Sequence, residues 1–215
     1  MACSDTSREK SGLSAIGSSQ REYGIAGRFW PDALMAEMSV KDKGKPPLLS
    51  CMLNRRVVVI LGSEHDHTFA APIKSLLDQF GVTCEVRVAS AHKDSERLLR
   101  ILQDYERLDD NLVYITVAGM SNALSGFVDF KTRHPVIACP PQSAAVWNID
   151  IYSSLRMPRG VAPLVTCDPE NAAIAAVKIL GECEKELASK VREYQRQMQL
   201  KNEKADEKIR QGGSS

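Results

Sequence analysis

Three short polar stretches carry the groups that could do chemistry: GSEHDH at residues 62–67, SAHK at 90–93 and AGMSNALSG at 118–126. In the second, an imidazole and an ammonium stand side by side. An imidazole both takes and gives a proton near neutral pH, so His92 is the candidate acid–base group. Ser90 and Lys93 would add a hydroxyl and a charge to a phosphate. The plain alternative is a helix start capped by Asp94 with two solvated neighbours. In the first stretch, Gly62 lets backbone approach a ligand, and Ser63 offers an amide and a hydroxyl. The helix expected next would aim its N-terminal amides at the same anion. Asp66 could accept from two sugar hydroxyls, or simply cap that helix. His65 and His67 flank Asp66, but alternate positions at a strand-to-helix junction rarely point the same way, so no metal site is expected. In the third stretch, Gly119, Ser121 and the pair Ser125-Gly126 again suggest backbone close to a ligand; helix capping by Ser121 is the alternative.

The elements that must position these groups follow from apolar periodicity. VVVILG precedes APIKSLLDQFG, where Ile73, Leu76, Leu77 and Phe80 lie at helical spacing and Gly81 is a stop. CEVRVA precedes SERLLRILQDYERL, LVYITVAG precedes SNALSGFVDF, PVIAC precedes NIDIYSSLR, and APLVTC precedes PENAAIAAVKILGE. Five short strands alternating with helices predict βαβ units. The fold class is therefore α/β, a three-layer α/β/α sandwich around a mostly parallel, flavodoxin-like or Rossmann-like sheet. In such sheets ligands sit beyond the carboxyl ends of the strands, where strand order reverses. All three polar stretches fall at those ends.

Residues 1–53 show no sustained period and read as a partly disordered extension, with RFWPDALMAEM a possible short helix and KDKGKPPLL a linker. Residues 54–181 form the expected catalytic domain. Residues 182–215 form a helical arm and flexible tail, with Cys183, Leu187, Val191, Tyr194 and Met198 making a narrow stripe that could lie on a partner subunit or on the chain's own body.

A net charge of +1 and 6% aromatic residues argue against nucleic acid and anionic lipid. No apolar run approaches the ~20 residues that span a bilayer, so no membrane is expected. The six cysteines lack CxxC pairs and zinc spacing, which fits a reducing compartment, with the cytoplasm the default. There is no GxGxxG, Walker lysine, GxSxG elbow or HExxH. With no activated Ser or Cys evident, the remaining chemistry is proton transfer on a bound phosphorylated small molecule.

RVVVILGSEHD, EVRVASAHK, AGMSNALSGF, IACPPQSAA and SSLRMPRGV, in this order across residues 55–181, resemble the PurE family of purine biosynthesis, which acts on 5-aminoimidazole ribonucleotide (AIR). SAHK, SNAL and SSLRMP resemble its second class, the phosphoribosylaminoimidazole carboxylases that use dissolved carbon dioxide. Mutases of the first class carry SAHR and a second His where this chain has Ala123. The resemblance implies reversible carboxylation of AIR by CO2 to 4-carboxy-AIR (CAIR), with no ATP, biotin or metal. It implies His92 as the base that removes the C4 proton. Ser63, Ser90 and Lys93 would hold the phosphate, Asp66 the ribose, and Gly119, Ser121, Asn122, Ala123 and Leu124 the carboxylate pocket, with Gly62 and Ala91 completing the binding site. It also implies a homo-oligomer, an octamer or a smaller ring such as a tetramer, in which CPPQSAAVWNIDIYSSLRMP partly faces a neighbour. Two residues depart from the pattern: His65 replaces a small Ser, and Met120 replaces an Arg near the expected carboxylate. The alternatives are the N5-CAIR mutase of the same fold and a non-catalytic nucleotide-binding or assembly homologue.

Overall fold

The computed structural model describes residues 54–142 and 149–212. The expected extension at 1–53 lies outside these residues, as do 143–148 of the proline-rich segment and the last three residues of the tail.

Strand β1 (Arg55–Leu61) is β-branched and almost wholly buried. Its alternate side chains enter two cores. Val57, Val59 and Leu61 join Val113, Ile115 and Val117 on one face, while Val58 and Ile60 join Leu112 and Tyr114 on the other. Burial on both faces is what a near-continuous apolar strand requires. Each such side chain contributes about 1.5–3 kcal/mol of transfer free energy.

The sheet adds β2 (Thr83–Val88), β3 (Asn111–Val117), β4 (Val136–Ala138) and β5 (Leu164–Val165) in the order β2-β1-β3-β4-β5, every pair parallel. Helices α1 (His67–Phe80) and α5 (Pro169–Gly181) cover the first face. Helices α2 (Ser95–Glu106) and α3 (Ala123–Lys131) cover the second. The switch of face between α1 and α2 accompanies the reversal of strand order after β2, as right-handed crossovers demand. The α/β sandwich with a parallel five-stranded sheet is thus the observed architecture.

Some boundaries differ from the sequence reading. Helix α1 begins at His67, four residues before the apolar spacing suggests, and runs through Pro72. Proline in the second turn forgoes one backbone hydrogen bond, a loss the apolar face of the same helix offsets. It ends at Gly81, whose left-handed φ of 71° lets its amide reach Asp78 and Leu77 carbonyls. Among the described residues of NIDIYSSLR, α4 (Ile151–Leu155) is the helical part.

Helix α6 (Lys185–Arg210) begins after Cys183, so that thiol is exposed and off the stripe. Leu187 and Val191 are buried in the first core, and Tyr194 packs on Phe80 with ring centroids 5.7 Å apart. The first half of the arm therefore lies on the chain's own body, and from Lys201 onward every described residue is exposed. Among the described residues no helix is long and apolar enough to cross a membrane.

One half-buried titratable group makes stability pH-dependent. His134 stacks edge-on against Tyr114, and desolvation lowers its pKa from the usual imidazole value; Glu106, 3.8 Å from Nε2, opposes the shift. The folded protein thus prefers the neutral ring. Its contribution is complete above the unfolded pKa of ~6.5 and is lost as pH falls through the lower folded value. Thermal denaturation between pH 7.5 and 5 should show a declining midpoint that is shallower in His134→Gln; an identical slope would exclude His134 as the source.

Candidate active site

Strand register decides what meets at the top of the sheet. Leu61 pairs with Val88 on one side and Val117 on the other, so β1, β2 and β3 end level. The loops that follow emerge side by side at the point where strand order reverses. The Gly62 amide donates to Val117 O at 2.8 Å and the Ala89 amide to Leu61 O at 2.9 Å, tying the loop bases together. A Cβ on Gly62 would lie 3.1 Å from the Ala118 Cβ, which is why the tightest point carries glycine.

The loops enclose a cleft of about 470 Å³ lined by Gly62, Ser63, His65, Asp66, Ser90, Ala91, His92, Lys93, Ala118, Gly119, Met120, Ser121, Ala123 and Leu124. This wall includes every residue expected from the sequence except Asn122 and the pair Ser125-Gly126, which lie off it. Ala118 and the two departing residues, His65 and Met120, line it as well. Ala118 was legible only as the last apolar residue of the run LVYITVA, just past the end of β3; its place on the wall comes from level strand ends.

In the first loop, Ser63 caps a single 3-10 turn, Glu64–Asp66, in a reciprocal capping box: the Ser63 hydroxyl accepts from His65 N–H while Asp66 Oδ2 accepts from Ser63 N–H at 3.1 Å. The Ser63 amide expected to meet an anion is therefore already committed to Asp66. Its Oγ lies 2.9 Å from His65 Nδ1. Asp66 makes no side-chain cap on α1, although it precedes it. Partial burial raises its carboxyl pKa, and the Ser63 N–H and nearby His65 pull it back. One carboxylate oxygen is thus fixed and the group is oriented. His67 lies off the cleft, in a separate groove with Lys74 and Asp78, so the two histidines do not converge.

In the second loop the helix start capped by Asp94 is observed, and His92 and Lys93 are on the cleft wall beside it. Asp94 Oδ1 accepts from Arg97 N–H at 3.0 Å and caps α2. The turn is fastened by Lys93 N–H to Ser90 Oγ at 3.3 Å and Asp94 N–H to Ser90 O at 3.0 Å. His92 is exposed, not packed beneath the sheet.

In the third loop Asn122, not Ser121, caps α3. Its Oδ1 accepts from Ser125 N–H at 3.1 Å, and its Nδ2 donates to the hydroxyls of Ser125 and Ser154. Asn122 is 4% exposed and, unlike its neighbours Ser121 and Ala123, does not line the cleft. As a cap its side chain is turned toward the first turn of α3 and is occupied by Ser125 and Ser154. Met120 stands at the cleft with a left-handed φ of 56° and 81% of its surface exposed.

A profile of the AIR carboxylase family matches residues 56–201. The chain belongs to the AIR carboxylase family. The phosphoribosylaminoimidazole carboxylase of Archaeoglobus fulgidus is 45% identical over 155 residues, covering 72% of this chain and 85% of that protein. The enzyme of the same name from Treponema denticola is 46% identical over 138 residues, covering 64% and 87%. The crystal structure of Treponema denticola PurE aligns with a TM-score of 0.71 at 42% identity, over 73% of this chain and 99% of that one. The AIR carboxylase match runs past Gly181 well into α6, consistent with the burial of Leu187 and Val191 in the main core.

Within this AIR carboxylase fold, sequence reasoning missed the support of the third loop. Asp150, Ser153 and Ser154 supply it from α4 and the residue before it. The signal was present in NIDIYSSLR, as an Asp with Ser three and four residues on. No local chemistry distinguished that from an ordinary helix start.

Proposed function

We propose that this chain carboxylates AIR at C4 with carbon dioxide, reversibly, to give CAIR in purine biosynthesis. The convergence of His92, Lys93, Ser90, Ser63 and Asp66 on one cleft at the strand-order switch carries the reading. AIR's exocyclic amino group makes C4 enamine-like, so it attacks CO2 without ATP, biotin or metal. The new C–C bond leaves C4 bearing hydrogen and carboxylate. His92 takes that proton, the C–H electron pair returns to the ring, and aromaticity is restored. In reverse, the imidazolium protonates C4 and CO2 departs.

General acid–base assistance of this kind contributes about 10²–10⁴-fold. Holding the ring against CO2 supplies more. Lys93 and Ser90 would grip the phosphate, and Asp66, oriented by the Ser63 amide, would accept from the ribose. Gly119, Ser121, Ala123 and Leu124 would form the pocket for the carboxylate.

Exposed Phe130, Ile149, Tyr152 and Leu155 support a homo-oligomer, for which an octamer is our choice over a tetramer. The unpaired thiols of Cys84, Cys139, Cys167 and Cys183 support a cytoplasmic enzyme. The deciding assay follows absorbance of AIR with bicarbonate as the CO2 source and without ATP. Turnover supports the carboxylase; consumption of N5-CAIR alone supports the mutase, and neither activity supports a non-catalytic homologue.

Met120 leaves the cleft mouth without a fixed cation. Met120→Arg should tighten CAIR by about twofold to fivefold, the scale of an exposed ion pair, and the gain should shrink as salt rises. Unchanged CAIR affinity in a titration at low salt would remove Met120 from the carboxylate pocket.

A further inference from the structure

We propose that Asp150 and Ser153, with Ser154 behind them, are positioning residues that hold the third loop of the cleft in its working shape. The effect on turnover rests on the carboxylase reading; the geometry does not. Between β3 and α3 the loop has little to hold itself: Ala123 N–H to Ser121 O is its local backbone bond, and Met120 adopts a left-handed conformation without being glycine.

The restraint comes from some thirty residues further along. The Met120 amide donates to Asp150 Oδ2 at 2.9 Å, and the Asn122 amide donates to Ser153 Oγ at 3.0 Å. The Ser153 hydroxyl proton lies between Asp150 O, 2.7 Å away, and Met120 O, 3.2 Å away. Asn122 Nδ2 donates to Ser154 Oγ at 2.9 Å. Positions 150, 153 and 154 share one face of a helical turn.

That turn is inverted relative to an ordinary surface helix. Its polar residues face inward onto the loop, with Ser154 only 1% exposed, while Ile149, Tyr152 and Leu155 stay 55% exposed or more. The inward polar face exists to meet the amides on either side of Ser121, a residue of the cleft wall. Among the described residues the first two loops, which would hold phosphate and ribose, make no hydrogen bond to Asp150 or Ser153. Loss of the latch should therefore act on the carboxylation step and spare AIR binding.

Ser153→Ala and Asp150→Ala, made separately in the full chain, test this. Expected is a kcat lower by about 10–100-fold, the scale of a small misplacement of reacting groups, with AIR affinity by calorimetry unchanged. Asp150→Asn, which keeps an oxygen for the Met120 amide, should recover most of the activity. Hydrogen exchange of the peptide spanning 118–124 should quicken about fivefold or more in both Ala variants. Unchanged exchange in both, or parallel loss of kcat and AIR affinity, would overturn the latch. If the wild-type chain does not carboxylate AIR, the carboxylase reading fails and the exchange result alone decides the latch.

Discussion

His92→Asn should abolish carboxylation while AIR still binds. On the proposed reaction the only proton that must leave carbon is the one on C4, and His92 is the cleft-wall group to which the proposal gives that proton. Asparagine keeps polarity and approximate size but cannot accept that proton, so kcat should fall by about 10²–10⁴-fold or more. On the same proposal the ligand's phosphate and ribose are held by other residues, so the dissociation constant for AIR should be little altered. Stability should be indifferent, because His92 is exposed and surface substitutions away from buried features stay within about 0.5 kcal/mol. Steady-state turnover and calorimetric titration of AIR, read on the same preparation, give the split. The cleft is open enough that free imidazole should restore part of the rate. Equal decline in binding and turnover would make His92 a binding residue and remove the acid–base step.

Asn122→Ala should produce the largest loss of stability among the residues around the site. One side chain there serves three partners: it caps α3 through Ser125 N–H, and it donates to the hydroxyls of Ser125 and Ser154, both essentially inaccessible to solvent. Losing the cap costs about 0.5–2 kcal/mol. Leaving a buried polar group without its partner costs about 1–3 kcal/mol. The hydroxyls can turn toward each other and recover part of this, so a total of about 2–4 kcal/mol is expected. For a domain of this size that lowers the thermal midpoint by about 4–16 °C. Circular dichroism melting measures it directly. A midpoint within a degree or so of wild type would mean that Asn122 is not the cap the structure assigns. Because the Asn122 side chain also ties the third loop to Ser154, turnover should fall with stability even at temperatures where the variant is fully folded.

The loop chemistry at 62–66, 90–93 and 118–126 was legible because strand ends, glycines and polar residues coincide in the chain. Parallel strands must place their C-terminal loops on one edge, so periodicity alone sufficed to bring them to the same side of the sheet. The two-sided burial of β1 follows equally from its composition: an unbroken β-branched run has no face to give to water. What local sequence could not separate was which polar residue turns inward. Ser121 and Asn122 are adjacent and either could cap a helix, yet only Asn122 has a second partner, Ser154, waiting behind it. In the same way the Ser63 amide looked free for a phosphate until Asp66 folded back onto it through a 3-10 turn that no apolar spacing announces.

The amino-acid sequence by itself determined the layered α/β architecture and the edge of the sheet where the polar loops gather, and it supplied the imidazole we propose as acid–base group, because these depend on periodicity and on side-chain type. Only the tertiary structure decided the level register of three strand ends, the inward turn of Asn122 and the grip of Asp150 and Ser153 on Met120 and its neighbours. Those depend on pairings between residues about thirty or more positions apart, and such contacts leave no period in the chain: each partner, taken alone, looks like an ordinary polar residue at the start of a helix.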